Sequence, residues 1–162
     1  MNSYQATPKN VKNSGETYLN FYLNSITSAL LSAEYVQEAI VVSGESITPM
    51  PNMRACIMGL MNWRSRILWA VDLPMILNLE STHYRSGHFN VIMTKVESVI
   101  LGLVVQDIKG TKKIMLEEVH SPIGQVATSL VPYLRGCINQ PEETLLVLDA
   151  QAIVQSPLLT MD

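Results

Sequence analysis

The chain has 162 residues, of which 48% are hydrophobic and only 15% charged, and its formal net charge is −3. This is enough for one domain or two very small ones, with a substantial core. The low charged fraction indicates apolar surface that serves partners. The absence of a Lys/Arg block argues against nucleic-acid binding. Because no apolar run reaches the length of a membrane span and the start lacks a signal-peptide pattern, we expect a cytoplasmic protein without direct membrane insertion.

The N-terminal third predicts a polar tail followed by β-strands. Residues 1–16 predict a flexible N-terminal tail. The alternation from Thr17 to Leu23 predicts a half-buried strand, and Ala29 to Leu31 a short partner strand. Ser32 is placed to cap a single helical turn, after which Val36 to Val42 predicts another strand.

A central stretch follows, with a turn between two strands and then a short helix. Cys56 to Leu60 predicts a strand, Asn62 to Arg66 its turn, and Ile67 to Val71 the returning strand. Asp72 is placed to accept hydrogen bonds from the first turn of a helix over Pro74 to Leu79.

The second half begins after a polar, linker-like stretch, Glu80 to His88. Asp149 is placed to cap the last predicted helix, Ala150 to Gln155. Before it come predicted strands and a hairpin: Phe89 to Met93, Val96 to Gln106, Ile108 to Leu116, and the pair Gly136 to Asn139 with Thr144 to Leu148.

The two halves echo each other. A shift of 77 residues pairs Gly59 with Gly136 and Asp72 with Asp149, as part of five identities without a gap. A second echo sets Val36-Gln37-Glu38 over Val105-Gln106-Asp107. Either these are two related β-rich units, or hairpins of similar composition merely resemble one another. The repetition favours structural roles for both glycines and helix capping for both aspartates.

Many short strands with frequent turns predict an all-β fold with short helices, built as a barrel or a sandwich. We expect residues 17–79 to form a first β-barrel half, 80–88 a linker, and 89–162 a second β-barrel half with the C-terminal helix. Strands that cross between the barrels are compatible with this division, which then forms one domain over 17–155.

The sequence offers no recognisable catalytic chemistry. His83, His88 and His120 are too few and too scattered for a metal site, and Cys56 and Cys137 lack further ligands at short spacing. Neither a nucleophile elbow nor a phosphate loop is present. We therefore expect no enzyme, no metal and no cofactor, although an unrecognised small enzyme site stays open.

Two charged residues are candidates for binding. Arg64, between Trp63 and Ser65, is either a partner-contacting arginine whose stem Trp63 covers, or a solvated turn residue. Glu38 is a lone acid in an apolar strand, so it lies at a sheet edge or has a partner. We hypothesise that Glu38 pairs with Arg64 and fixes its direction.

The same residues carry a resemblance to a known family. Residues 32–38, with Val36 and Glu38, are similar to an early Val-x-Glu segment of the CheW-like family, the adaptor proteins of bacterial chemosensory arrays. The other matching segments run in the family's order: Pro49-Met50-Pro51, Gly59, Asn62-Trp63-Arg64, Val71-Asp72-Leu73, Tyr133 to Gly136, and Leu148-Asp149. Ser65 and Trp69 depart from the Gly and the Pro that are usual there.

The resemblance implies two packed five-stranded β-barrels and a non-enzymatic adaptor in chemosensory signalling. It would couple methyl-accepting chemotaxis receptors to the regulatory domain of a CheA-type histidine kinase, at the inner face of the membrane. Arg64, Trp63, Asn62, Glu38 and Val36 match the receptor-contacting region, and the kinase would contact barrel ends. The output could be chemotaxis, phototaxis or pilus-driven motility. A β-barrel interaction module outside chemosensing is the alternative.

Overall fold

The computed structural model describes residues 15–81 and 87–159. These residues form ten strands and two short helices, α1 (Leu73–Ile76) and α2 (Ala150–Val154). The strands are β1 (Glu16–Tyr22), β2 (Ser28–Ser32), β3 (Val36–Ser43), β4 (Ile57–Trp63), β5 (Arg66–Asp72), β6 (His88–Val96), β7 (Val99–Val105), β8 (Asp107–Ile114), β9 (Leu134–Asn139) and β10 (Thr144–Leu148). None of the described helices is long and apolar enough to cross a membrane.

The strands are divided into two five-stranded sheets of the same topology. The first, barrel A, has the order β8-β1-β2-β10-β9, and the second, barrel B, has the order β3-β6-β7-β5-β4. In each, two antiparallel hairpins meet through a parallel pair, β2 with β10 in barrel A and β7 with β5 in barrel B. The all-β prediction and the two five-stranded units are confirmed.

Each half of the chain contributes to both barrels. The β1–β2 hairpin of the first half lies in barrel A, whereas its β3, β4 and β5 lie in barrel B. The second half places its β6–β7 hairpin in barrel B and β8, β9 and β10 in barrel A. The internal repeat is therefore confirmed, but neither sheet consists of residues 17–79 or of 89–162 alone, because the strands cross.

The repeated glycines lie where each barrel closes. Backbone hydrogen bonds of 2.8 and 2.9 Å join Thr48 to Leu60, so the chain after edge strand β3 reaches the opposite edge, β4. His120 and Cys137 make the equivalent pair in barrel A, at 2.8 and 2.9 Å. A Cβ on Gly59 would collide with the Thr48 carbonyl oxygen, and one on Gly136 would lie 2.6 Å from the His120 carbonyl oxygen. Glycine is thus required by close backbone approach at both positions.

The repeated aspartates cap the two helices, as predicted. Asp72 Oδ1 accepts a hydrogen bond from the Met75 N–H at 3.2 Å, and Asp149 Oδ1 accepts one from the Ala152 N–H at 3.0 Å. The Ser81 hydroxyl donates to the other oxygen of Asp72 at 2.7 Å. Capping of this kind satisfies N–H groups that a helix start leaves without partners, so both carboxylates have structural roles.

The core has three layers. Barrel A is filled by Tyr18, Leu30 and their neighbours, and barrel B by a separate set that includes Met61 and Met93. The largest layer lies between the sheets and contains residues of both, together with α1 and α2. Strand β1 is therefore buried on both faces from Tyr18 to Phe21, and the expectation that it is half-buried was wrong.

Several predicted boundaries differ from the structure. The predicted strand Val96 to Gln106 is interrupted by a turn at residues 97–98, where Glu97 has a φ of 56°. The helix expected over Pro74 to Leu79 ends at Ile76. Most of the predicted tail and the centre of the predicted 80–88 linker, including His83, lie outside the described residues.

We predict that Gly59→Ala lowers the free energy of unfolding by about 2 kcal/mol or more, because it combines an unfavourable φ with a backbone collision. Gly124→Ala is the matched control, since Gly124 has a positive φ of 80° but open space where a Cβ would lie. We expect the control to lose about 1 kcal/mol. Denaturant unfolding measures both, and equal losses would contradict the steric role of Gly59.

Candidate functional site

The site is built on a two-residue turn at one end of barrel B. Trp63 and Arg66 are paired across β4 and β5, which leaves Arg64 and Ser65 as the turn. Their φ angles are 50° and 64°, so both residues are left-handed, as in a type I′ turn. This geometry projects Arg64 from the end of the hairpin. The predicted turn, Asn62 to Arg66, was too long, because β4 continues through Trp63.

Glu38, on strand β3, contacts two residues at the β4–β5 turn. One oxygen, Oε1, accepts hydrogen bonds from Trp63 Nε1 at 2.9 Å and from Arg64 Nη2 at 3.3 Å. The Arg64 guanidinium carbon lies 4.8 Å from the centre of the Trp63 ring, a cation–π distance. We call these three residues the Arg64 cluster. The predicted ion pair between Glu38 and Arg64 is confirmed; that it fixes the direction of Arg64 stays a prediction.

The cluster spans the seam of barrel B. Glu38 lies on edge strand β3, whereas Trp63 ends the opposite edge strand, β4. The side chains of Arg64 and Glu38 are 67% and 40% exposed, so solvent screens their ion pair. Such a pair adds little to stability. In the structure the pair places the exposed guanidinium over an aromatic ring.

The other two predicted contact residues lie apart from this cluster. Asn62 is exposed on β4 and lines a different hollow, together with Thr48 and Ile67. Val36 is half-buried at the start of β3 and packs against the core layer between the sheets. The structure thus brings together Glu38, Trp63 and Arg64, but it does not place Asn62 in the same cluster.

Sequence reasoning missed a cationic hollow beside the Arg64 cluster. Its volume is about 210 Å³, and its lining residues are Gln37, Trp63, Arg64, Arg66, Lys95 and Ile100. Arg66 stands out in the sequence as the second member of an arginine pair, but nothing there indicates a role for it. Lys95 gives no sequence signal, because it reaches the turn only through the hairpin exchange that places β6 in barrel B.

The described residues hold no candidate metal site, and their two cysteines are in an unreactive setting. No group of three His, Cys, Asp or Glu side chains that could hold a metal ion occurs among them. Both cysteines are buried and unpaired with each other. Burial raises the pKa of the Cys56 thiol and that of the Cys137 thiol, which favours the unreactive protonated form.

Comparison with known proteins identifies the family. The family model described as "CheW-like domain" matches residues 17–158. The chain belongs to the CheW-like domain family. Members of this family are non-enzymatic scaffolds in chemotaxis signalling. Family membership therefore confirms two predictions, that the chain is an adaptor and that it is not an enzyme.

Two relatives are each named "Chemotaxis protein CheW". The protein of Treponema pallidum (strain Nichols) is 28% identical over 120 residues, which cover 72% of this CheW-like chain and 70% of the relative. That of Thermotoga maritima is 22% identical over 116 residues, with 72% and 74% covered. The crystal structure of scaffolding protein TtCheW from Thermoanaerobacter tengcongensis has a TM-score of 0.70 at 21% identity and covers 83% of this chain and 84% of that one. This structural likeness supports the fold.

We predict that Ser65→Gly raises the free energy of unfolding by about 0.5 kcal/mol, because glycine adopts a φ of 64° without the steric cost that serine carries. Ser65→Ala is the control, since alanine retains that cost and has no hydroxyl. Chemical denaturation of the three proteins tests this. A destabilised glycine variant would show that the serine side chain supports the turn.

Proposed function

We propose that this CheW-like protein couples methyl-accepting chemotaxis receptors to the regulatory domain of a CheA-type histidine kinase, and that the Arg64 cluster is its receptor contact. The observation that carries the proposal is the exposed guanidinium of Arg64, paired with Glu38 and stacked on Trp63. Family membership supports the scaffold role. The chemosensory resemblance supports the choice of partners.

The composition of the cluster suits an interface centre. Arg and Trp are enriched among the residues that dominate binding energy. Because Glu38 holds Arg64 in one direction, less side-chain freedom is lost when a partner binds. In this proposal Val36 and Asn62 belong to the wider receptor-contacting surface around the cluster, Val36 at the start of β3 and Asn62 in the hollow beside Thr48 and Ile67.

The proposed mechanism is assembly rather than catalysis. The protein would act in the cytoplasm, at the inner face of the membrane, by holding kinase and receptor in a fixed arrangement. Contacts of this signalling kind are often small and individually weak. Simultaneous contacts within an array raise the effective concentration of each partner, which supplies the strength that one contact lacks.

The test is the affinity for the purified cytoplasmic fragment of a chemoreceptor from the same genome. We expect Arg64→Ala to weaken binding about ten-fold, because a central arginine is removed from the interface. Biolayer interferometry measures the dissociation constant, and a thermal unfolding scan verifies that the fold is intact.

The matched control is Arg54→Ala. Arg54 is exposed and precedes β4, so it lies beyond the strand end opposite to Arg64. The control should bind as the unmodified protein does. Equal binding by both variants and the unmodified protein would contradict the assignment of Arg64 to the receptor contact.

A further inference from the structure

The cationic hollow has more positive side chains than negative ones. Three cations line it, Arg64, Arg66 and Lys95, and one carboxylate, Glu38, pairs with Arg64. Within residues 15–81 and 87–159, neither Arg66 nor Lys95 has an ion-pair partner. This is a local excess of two positive charges on a chain whose net charge is −3.

The topology explains why these charges meet. The start of β3, the end of β6, the start of β7 and the β4–β5 turn all lie at one end of barrel B. Lys95 is paired with Ile100 across β6 and β7, and Arg66 with Trp63 across β5 and β4. The acidic Glu97 lies in the β6–β7 turn, two residues from Lys95, and does not line the hollow.

We infer that the hollow binds an acidic segment of the partner, with carboxylates that pair with Arg66 and Lys95 while Arg64 makes the central contact. The inference rests on the proposed function, because it assigns the chemistry of the partner at that same site. A protein segment suits the hollow since Trp63 and Ile100 are also among its lining residues and offer apolar surface beside the charges.

Arg64 differs in its setting from Arg66 and Lys95, and this difference suggests different roles in binding. Arg64 is already oriented by Glu38, whereas Arg66 and Lys95 are exposed and free of ion pairs in the described part of the chain. Exposed charges at the rim of an interface act mainly on association rate and partner choice. Arg66 and Lys95 would therefore select an acidic partner and make binding dependent on salt.

The test is charge reversal in the 162-residue chain. Arg66→Glu with Lys95→Glu should weaken binding to the receptor fragment about ten-fold, and added salt should then no longer weaken binding, since attraction is replaced by a repulsion that salt screens. Arg54→Glu with Lys113→Glu is the matched control, because it makes the same change at one exposed arginine and one exposed lysine that do not line the hollow. The control should bind within about two-fold of the unmodified protein.

The outcomes separate this inference from the proposed function. If Arg64→Ala loses binding while the reversal of Arg66 and Lys95 does not, the acidic-segment inference is overturned and the receptor contact stands. If the control loses as much as the reversal, the effect is one of net charge and the inference also fails.

A second arm does not depend on the receptor. A blocked peptide of alternating Glu and Ala is titrated against the protein by calorimetry, beside the same peptide with Gln in place of Glu. We expect tighter binding of the Glu peptide, lost when Arg66 and Lys95 are reversed and kept in the control. Equal binding of the two peptides would overturn the inference even if the receptor fragment binds.

Discussion

The backbone pair between Thr48 and Leu60 is the constraint on which the candidate site depends. It brings the chain that leaves β3 against β4, so that the two outer strands of a five-stranded sheet become neighbours. Only then can a carboxylate on β3 reach an indole and a guanidinium at the end of β4. The pair needs a residue without a side chain at position 59, because the Thr48 carbonyl occupies the space of a Cβ. A glycine five residues before Arg64 thus helps to set the position of that surface arginine.

The Arg64 cluster illustrates how a rigid scaffold compensates for weak surface interactions. An ion pair between side chains that are 67% and 40% exposed contributes little to folding. Its partner geometry is nevertheless well defined, since one carboxylate oxygen accepts from both the indole and the guanidinium. The strands beneath are held by a core of three layers, so the surface groups inherit their positions from it. The packed core, rather than the ion pair itself, therefore sets the positions of the strands that carry the Arg64 cluster.

Much of this fold could be predicted from the sequence, because its signals are local or repeated. The positions of Asp72 and Asp149 before short apolar helices predicted the caps, and the shared spacing of Gly59 and Gly136 predicted the repeat. The Glu38–Arg64 pair could be proposed because each residue was conspicuous alone, one an acid in an apolar strand and the other an arginine in a turn.

The rest depends on long-range pairing that no local pattern specifies. A hairpin has the same alternation whichever sheet it joins, so the exchange of β1–β2 and β6–β7 between the barrels gives no sequence signal. Lys95 enters the cationic hollow only through that exchange. The turn was placed too broadly because Ser65 occupies a left-handed position where glycine would have marked it.

The exchanged hairpins also have a consequence for how such a molecule arises and folds. Each five-stranded sheet contains three strands from one half of the chain and two from the other. Neither half alone can therefore form all the backbone hydrogen bonds of a sheet. A chain of half this length would need a second copy of itself to complete a five-stranded sheet, and its folding would depend on concentration. In a single chain that encounter is intramolecular, and because each sheet contains strands of both halves, neither half can unfold without breaking backbone hydrogen bonds of the other.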